Sequence, residues 1–203
     1  HPGRVNKQVT TPDIKEQVDS LIYTYRINTF TAAIAYRQLD RLEAMNDWRR
    51  KNANRLREVL HDMPGIRPCG LQTGADPAWH MVPWTFVADE VPGVTRQQYI
   101  AALRAEGVPL AGSYVNTPIH LRPTFRNKTW WLGKGYPWKA NPEGDRIVYE
   151  PGQCPVAEQR CSELDMMMGG SAWYTDCFSL IDQIGAAFTK VTGQLDEVRT
   201  ISA

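Results

Sequence analysis

Between Thr29 and Met63 apolar residues return at helical intervals. Ala35, Leu39, Leu42, Ala53, Leu56 and Leu60 fall on steps of four and three, with Ile34, Met45 and Trp48 beside that stripe. Arg49, Arg50, Lys51, Arg55 and Arg57 lie off the stripe or interrupt it, and Pro64-Gly65 stops the pattern, so one helix over 29–63 is predicted. At 1.5 Å per residue it would span roughly 50 Å, a length that suits a link between domains or a dimer interface.

Beyond residue 64 the period changes. Trp79 to Val87 is aromatic and aliphatic and reads as a strand, with Pro83 marking an edge or a bulge. Thr95-Arg96-Gln97-Gln98 is a capping box, and the helix it opens buries Tyr99, Ala102 and Leu103 and stops at Gly107. Short strands are predicted at Val108–Ala111 and Ile147-Val148-Tyr149, a short helix over Pro155–Leu164, and an extended run at Met166-Met167-Met168. A last helix starts near Thr175 and carries Cys177, Ile181, Ile184, Phe188, Val191, Leu195 and Val198 on one face. Strands interleaved with helices predict an α+β fold, a long helix followed by a small sheet covered by helices. Residues 126–145 stand apart: Trp130, Trp131, Tyr136 and Trp138 lie among glycines and prolines, as in a flap over a substrate or at a dimer contact, or an insertion packed down by its own aromatics.

Composition narrows the classes. The 23 Lys+Arg against 22 Asp+Glu leave a net charge of +1 with no basic stripe, so nucleic acid is not an expected partner. No apolar run approaches the roughly 20 residues of a membrane helix. The first residues, His1-Pro2-Gly3-Arg4, read as a cut within a longer chain. Cys69, Cys154, Cys161 and Cys177 form no C-x-x-C pair, which points away from zinc and towards reduced thiols in a cytoplasm.

The most specific segment is Tyr25-Arg26-Ile27-Asn28-Thr29-Phe30-Thr31-Ala32-Ala33-Ile34-Ala35, which runs into Gln38-Leu39-Asp40-Arg41-Leu42. It resembles the joint between the two domains of the DegT/DnrJ/EryC1/StrS aminotransferases, pyridoxal-phosphate enzymes of fold type I that aminate sugars and cyclitols. The family reads G-x-N-x-R-M, then A-A-I and Q-L-x-x-L. The resemblance implies that residues 1–28 end the large cofactor domain, 29–63 form the linking helix and 64–203 form the small C-terminal domain. It implies a homodimer, or a complementary N-terminal half, in the cytoplasm, with glutamate or glutamine as amino donor and a keto-sugar or keto-cyclitol as acceptor.

The resemblance also implies site residues. The family asparagine that reaches the phosphate of the partner's cofactor falls on Thr24, whose hydroxyl offers one donor where an amide offers two. The family glycine falls on Ile22, a further departure, whereas Arg26 matches the family arginine and suits a phosphate or a structural carboxylate. Tyr114 through Phe125 resembles the Y-x-P-L-H-x-x-P-x-F loop near the substrate, which places Tyr114 and His120 at substrate contacts, His120 alternatively holding the loop. Cys154-Pro155-Val156-Ala157-Glu158 resembles the family's P-x-A-E element, where Glu158 needs no role beyond the helix dipole. The lysine that carries the cofactor lies upstream in the family, and Lys7, Lys15, Lys51, Lys128, Lys134, Lys139 and Lys190 have no matching context. The expected chain is therefore the C-terminal part of a transaminase, with no catalytic residue and inactive alone. The alternatives are a non-catalytic subunit that completes a partner's site, and a lyase or dehydratase built on the same fold.

Overall fold

The computed structural model describes residues 26–129 and 135–202. The chain divides into two compact units, His1–Glu43 and Ala44–Ala203. Helix α1 (Thr29–Val59) opens with Asn28, whose side chain accepts from the Thr31 amide at 2.8 Å. The predicted stripe is exposed at Leu39 and Leu42, whereas Ala53, Leu56 and Leu60 are fully buried. The helix ends four residues before the predicted Met63. The last amides turn to partners three residues back, His61 to Glu58 and Met63 to Leu60, because Pro64 disfavours helical geometry at Met63. Gly65 then reverses the chain at φ +84°.

After α1 come β1 (Ile66–Pro68), β2 (Met81–Phe86), α2 (Arg96–Ala105) and β3 (Leu110–Ala111). The order continues with the single turn α3 (Pro123–Arg126), α4 (Pro155–Gln159), β4 (Asp165–Gly169), α5 (Phe178–Thr192) and α6 (Leu195–Arg199). The sheet is antiparallel in the order β1-β2-β4-β3, with Trp84 opposite Met166 and Leu110 opposite Met168. Alternate residues of β2, Val82, Trp84 and Phe86, face the core with Met166 and Met168. Tyr99 of α2 and Phe188 of α5 close over this face, the Tyr99 ring 5.6 Å from Phe86 and 6.0 Å from Phe188. Each large side chain so buried contributes about 1.5 to 3 kcal/mol of transfer free energy, so this layer is where the unit is held together.

Four predicted details are corrected. Pro83 lies on an inner strand, not an edge: its carbonyl accepts from the Cys69 amide at 3.4 Å, and the Cys69 carbonyl that its missing amide would face accepts from Arg57 at 3.1 Å instead. Ile147-Val148-Tyr149 is not a strand; Ile147 and Val148 are exposed and only Tyr149 packs, in an aromatic cluster. The Pro155–Leu164 helix forms but relaxes into a π turn over Arg160–Leu164. The last helix is two, broken at Gly193, with Leu195 and Val198 on the separate α6. The capping box is present as predicted, the Thr95 hydroxyl accepting from the Gln98 amide and the Gln98 side chain from the Thr95 amide.

Candidate substrate site

The loop between β3 and α3 is turned by its own side chains. Ser113, nearly buried, donates its hydroxyl to the Val115 carbonyl at 2.8 Å, and Pro118 leads into a tight turn over Ile119–Leu121 that carries His120. His120 is held from outside the loop, its Nε2 3.0 Å from Oε1 of Glu158. Glu158 stands in the first turn of α4 and reaches back to accept from the amides of Gly152, at 3.0 and 2.9 Å, and Cys154, at 3.1 Å. The Gly152 amide first and the Cys154 amide second hold the Glu158 carboxyl below its ordinary value against an opposing effect of burial, with His120 adding a smaller push in the same direction as the amides. An ionised carboxylate only accepts, so Nε2 of His120 donates to Glu158 and Nδ1 is the ring nitrogen left without a partner among the described residues. Glu158 thus does more than answer a helix dipole: it fixes the orientation of His120 and ties two loops together.

Tyr114, on the same loop, is 67% exposed and its ring is open to a ligand. The structure therefore brings His120 and Glu158 into contact and leaves Tyr114 at the surface. Arg26 is exposed and lies in the other compact unit, and Thr24 lies outside the described residues.

Beside His120 the irregular region is organised around three rings. Phe125, Trp138 and Tyr149 meet edge to face with centroids 5.7 to 6.1 Å apart, and Trp138 Nε1 donates to the Tyr149 hydroxyl at 2.9 Å. Lys128 fastens the following turn by donating to the carbonyls of Gly144 at 3.0 Å and Asp145 at 2.8 Å. Gly144 is required there, because a Cβ would sit 1.9 Å from the Trp138 carbonyl oxygen. Phe125 and Tyr149 separate two pockets, one of about 430 Å³ that includes His120 and Cys161, the other of about 610 Å³ that includes Arg122, Trp138 and Asn141. Periodicity could not reveal this partition. The density of Trp, Tyr, Pro and Gly marked the region as irregular, but the rings come from three separate stretches.

A lysine that carries pyridoxal phosphate must present a free amine within a pocket. The described lysines have different surroundings: Lys128 is engaged by two carbonyls, Lys190 by Glu106 at 2.8 Å, Lys51 lines a pocket with its amine 4.9 Å over the Trp48 ring, and Lys139 is exposed. Lys7, Lys15 and Lys134 lie outside the described residues. Among the described residues the exposed Arg26 guanidinium is one donor of the kind a cofactor phosphate takes.

Comparison with known proteins agrees with the fold. A protein of Streptoalloteichus tenebrarius named as an L-glutamine:3-amino-2,3-dideoxy-scyllo-inosose aminotransferase is 26% identical over 179 residues, 86% of this chain and 41% of the relative. The spore coat polysaccharide biosynthesis protein SpsC of Bacillus subtilis is 28% identical over 116 residues, 56% of this chain and 29% of its own length. Among solved structures, a DegT DnrJ EryC1 StrS aminotransferase from Brucella abortus superposes with a TM-score of 0.57 at 20% identity, covering 91% of this chain and 45% of that one. DesV of S. venezuelae, solved with a ketimine intermediate, gives 0.55 at 17%, covering 95% and 46%. The chain thus spans less than half the length of these proteins. Residues 4–137, well over half of the chain, match one family along their whole extent, and the chain belongs to the DegT/DnrJ/EryC1/StrS aminotransferase family.

Proposed function

We propose that this chain is the C-terminal part of a pyridoxal-phosphate-dependent aminotransferase that moves an amino group from glutamate or glutamine to a keto-sugar or keto-cyclitol. The observation that carries the reading is the family match over residues 4–137, which takes in both the linking segment and the loop of Tyr114 and His120. The relatives' names, one a cyclitol aminotransferase using glutamine and the other a polysaccharide biosynthesis protein, support the donor and acceptor classes. In this reading residues 1–28 end the large domain, 29–63 link, and 64–203 form the small domain of a cytoplasmic homodimer. The cofactor, when bound, supplies the electron sink for the amino transfer.

The roles of this chain's residues follow from their chemistry. Thr24 and Arg26 donate to the cofactor phosphate across the dimer, the guanidinium as the stronger, charge-assisted donor. Tyr114 offers a phenol and His120 an oriented ring nitrogen, Nδ1, for substrate hydroxyls, with Glu158 as the positioning residue that holds the ring through Nε2. The test uses the full-length polypeptide. A visible absorbance band that borohydride abolishes, with glutamate- or glutamine-dependent turnover of a keto-sugar, is expected. Arg26→Ala subunits mixed with subunits lacking the cofactor lysine should recover activity if Arg26 works across the interface. A full-length preparation that takes up no cofactor overturns the reading, and cofactor uptake with dehydration in place of amino transfer identifies the lyase instead.

A further inference from the structure

The larger pocket beside the aromatic partition has an unequal supply of hydrogen-bonding groups. Most of its acceptors are already engaged, the carbonyls of Ile147 and Tyr149 being the exceptions among the described residues. The carbonyl of Arg122 accepts from Phe125 and Arg126, that of Pro137 from Ala140, that of Trp138 from Asn141, that of Asn141 from Gly144, and that of Gly144 from Lys128. The Asn141 side-chain oxygen accepts from the Glu143 amide at 3.0 Å, and the Tyr149 oxygen accepts from Trp138. The donors are spare. Among the described residues no acceptor is met by the Arg122 guanidinium, the Asn141 amide nitrogen, the Thr124 hydroxyl or the Tyr149 proton, and no Asp or Glu lines the cavity.

A pocket whose acceptors are mostly engaged, whose free donors include a guanidinium and whose wall carries no carboxylate selects a ligand rich in acceptors and negatively charged. Its walls select a second property. Trp138 and Phe125 supply aromatic surface in a cavity of about 610 Å³, room for a six-membered ring with substituents. We propose that this pocket binds a ring-bearing organic anion, the ring against Trp138, Phe125 and Tyr149 and the anionic group on Arg122, with Asn141 and Thr124 donating to further oxygens. The proposal deepens the transaminase reading by assigning a distal, non-reacting part of the amino acceptor to this pocket, and it rests on that reading for its biological meaning only. Binding itself stands on the cavity.

Titration calorimetry on the full-length protein tests it without turnover. The probes are glucose 1-phosphate, phenyl phosphate, inorganic phosphate and methyl glucoside. Glucose 1-phosphate or phenyl phosphate is expected to bind at least about tenfold tighter than inorganic phosphate and than methyl glucoside. Whichever of the two binds tighter tells a saturated ring from an aromatic one, and either supports the site. Arg122→Gln, at an exposed position, should weaken the ring-bearing phosphate by about tenfold or more and leave methyl glucoside unchanged, and Tyr149→Phe should weaken it less while keeping the wall. Inorganic phosphate binding as tightly as the ring-bearing probes, an unchanged affinity in Arg122→Gln, or no saturation by about 10 mM overturns the proposal. Because binding is read apart from amino transfer, a protein that binds the probe but transfers no amino group refutes the transaminase reading and keeps the pocket.

Discussion

Asn52 is fully buried in the middle of α1, and its side chain uses both ends. Its amide nitrogen donates to the carbonyls of Trp173 at 2.9 Å and Thr175 at 2.6 Å, and its oxygen accepts from the Cys177 amide at 3.2 Å, the residue that leads into α5. Asn52→Ala removes all three bonds. The Trp173 carbonyl is left in the core beside a 5% exposed residue, the Cys177 amide is half-buried, and Thr175 is exposed enough for water to replace the lost partner. An orphaned buried group costs about 1 to 3 kcal/mol and a rehydrated one about 1, so a loss of about 3 to 4 kcal/mol is expected. With a urea dependence of about 2 kcal/mol per molar, the midpoint of urea unfolding falls by about 1.5 to 2 M. Tryptophan fluorescence reports it, since Trp173 sits on the released segment. Asn54→Ala, two residues on and exposed, is the control and is expected within about 0.5 kcal/mol of the parent. A shift below about 0.5 M for Asn52→Ala, with the slope unchanged, refutes the claim that this side chain anchors the 173–177 segment.

Burial first and the nearby Glu90 second push the Tyr99 phenol above its ordinary value of 10.0. The stability it contributes is therefore complete below about pH 10 and is lost as pH rises from there towards the higher folded value, so Tyr99→Phe should flatten the alkaline arm of a stability profile, while losing about 1 kcal/mol at neutral pH from the bond to the Pro64 carbonyl. Glu158 shifts the other way: its stabilisation is present above the ordinary carboxyl value of 4.5 and is lost as pH falls through the lowered one, so Glu158→Gln should flatten the acid arm, and an unchanged arm would contradict the clamp. At Gly185 two effects compete. Alanine gains about 1 kcal/mol in helix propensity, but its Cβ would stand 2.3 Å from Val59 Cγ1, and such overpacking costs about 1 to 3 kcal/mol. Gly185→Ala should therefore be destabilising and Val59→Ala with Gly185→Ala more stable than the sum of the two single changes, measured as a double-mutant cycle in urea.

What was legible in the chain was what short-range chemistry encodes. The four-three spacing from Ala53 to Leu60, the Thr95–Gln98 capping box and the left-handed Gly107 act within one or two turns, and each appears as read. Motif also carried far: the run from Tyr25 to Leu42 with the loop around His120 was enough to find the family. Tertiary structure decided the rest. Ile147-Val148-Tyr149 has strand composition but pairs with no strand, and Tyr149 packs instead on Phe125 and Trp138. Pro83 looked like an edge signal, yet the Cys69 carbonyl opposite its missing amide is satisfied by Arg57, a residue of α1. Glu158 carried no site signal because its partner His120 is 38 residues away, and a single carboxylate at a helix start has a local explanation that conceals a distant one. Local rules fix which elements form, because their energies are local; which polar groups meet, and which donors remain free to face a ligand, depends on contacts between segments that no periodicity connects.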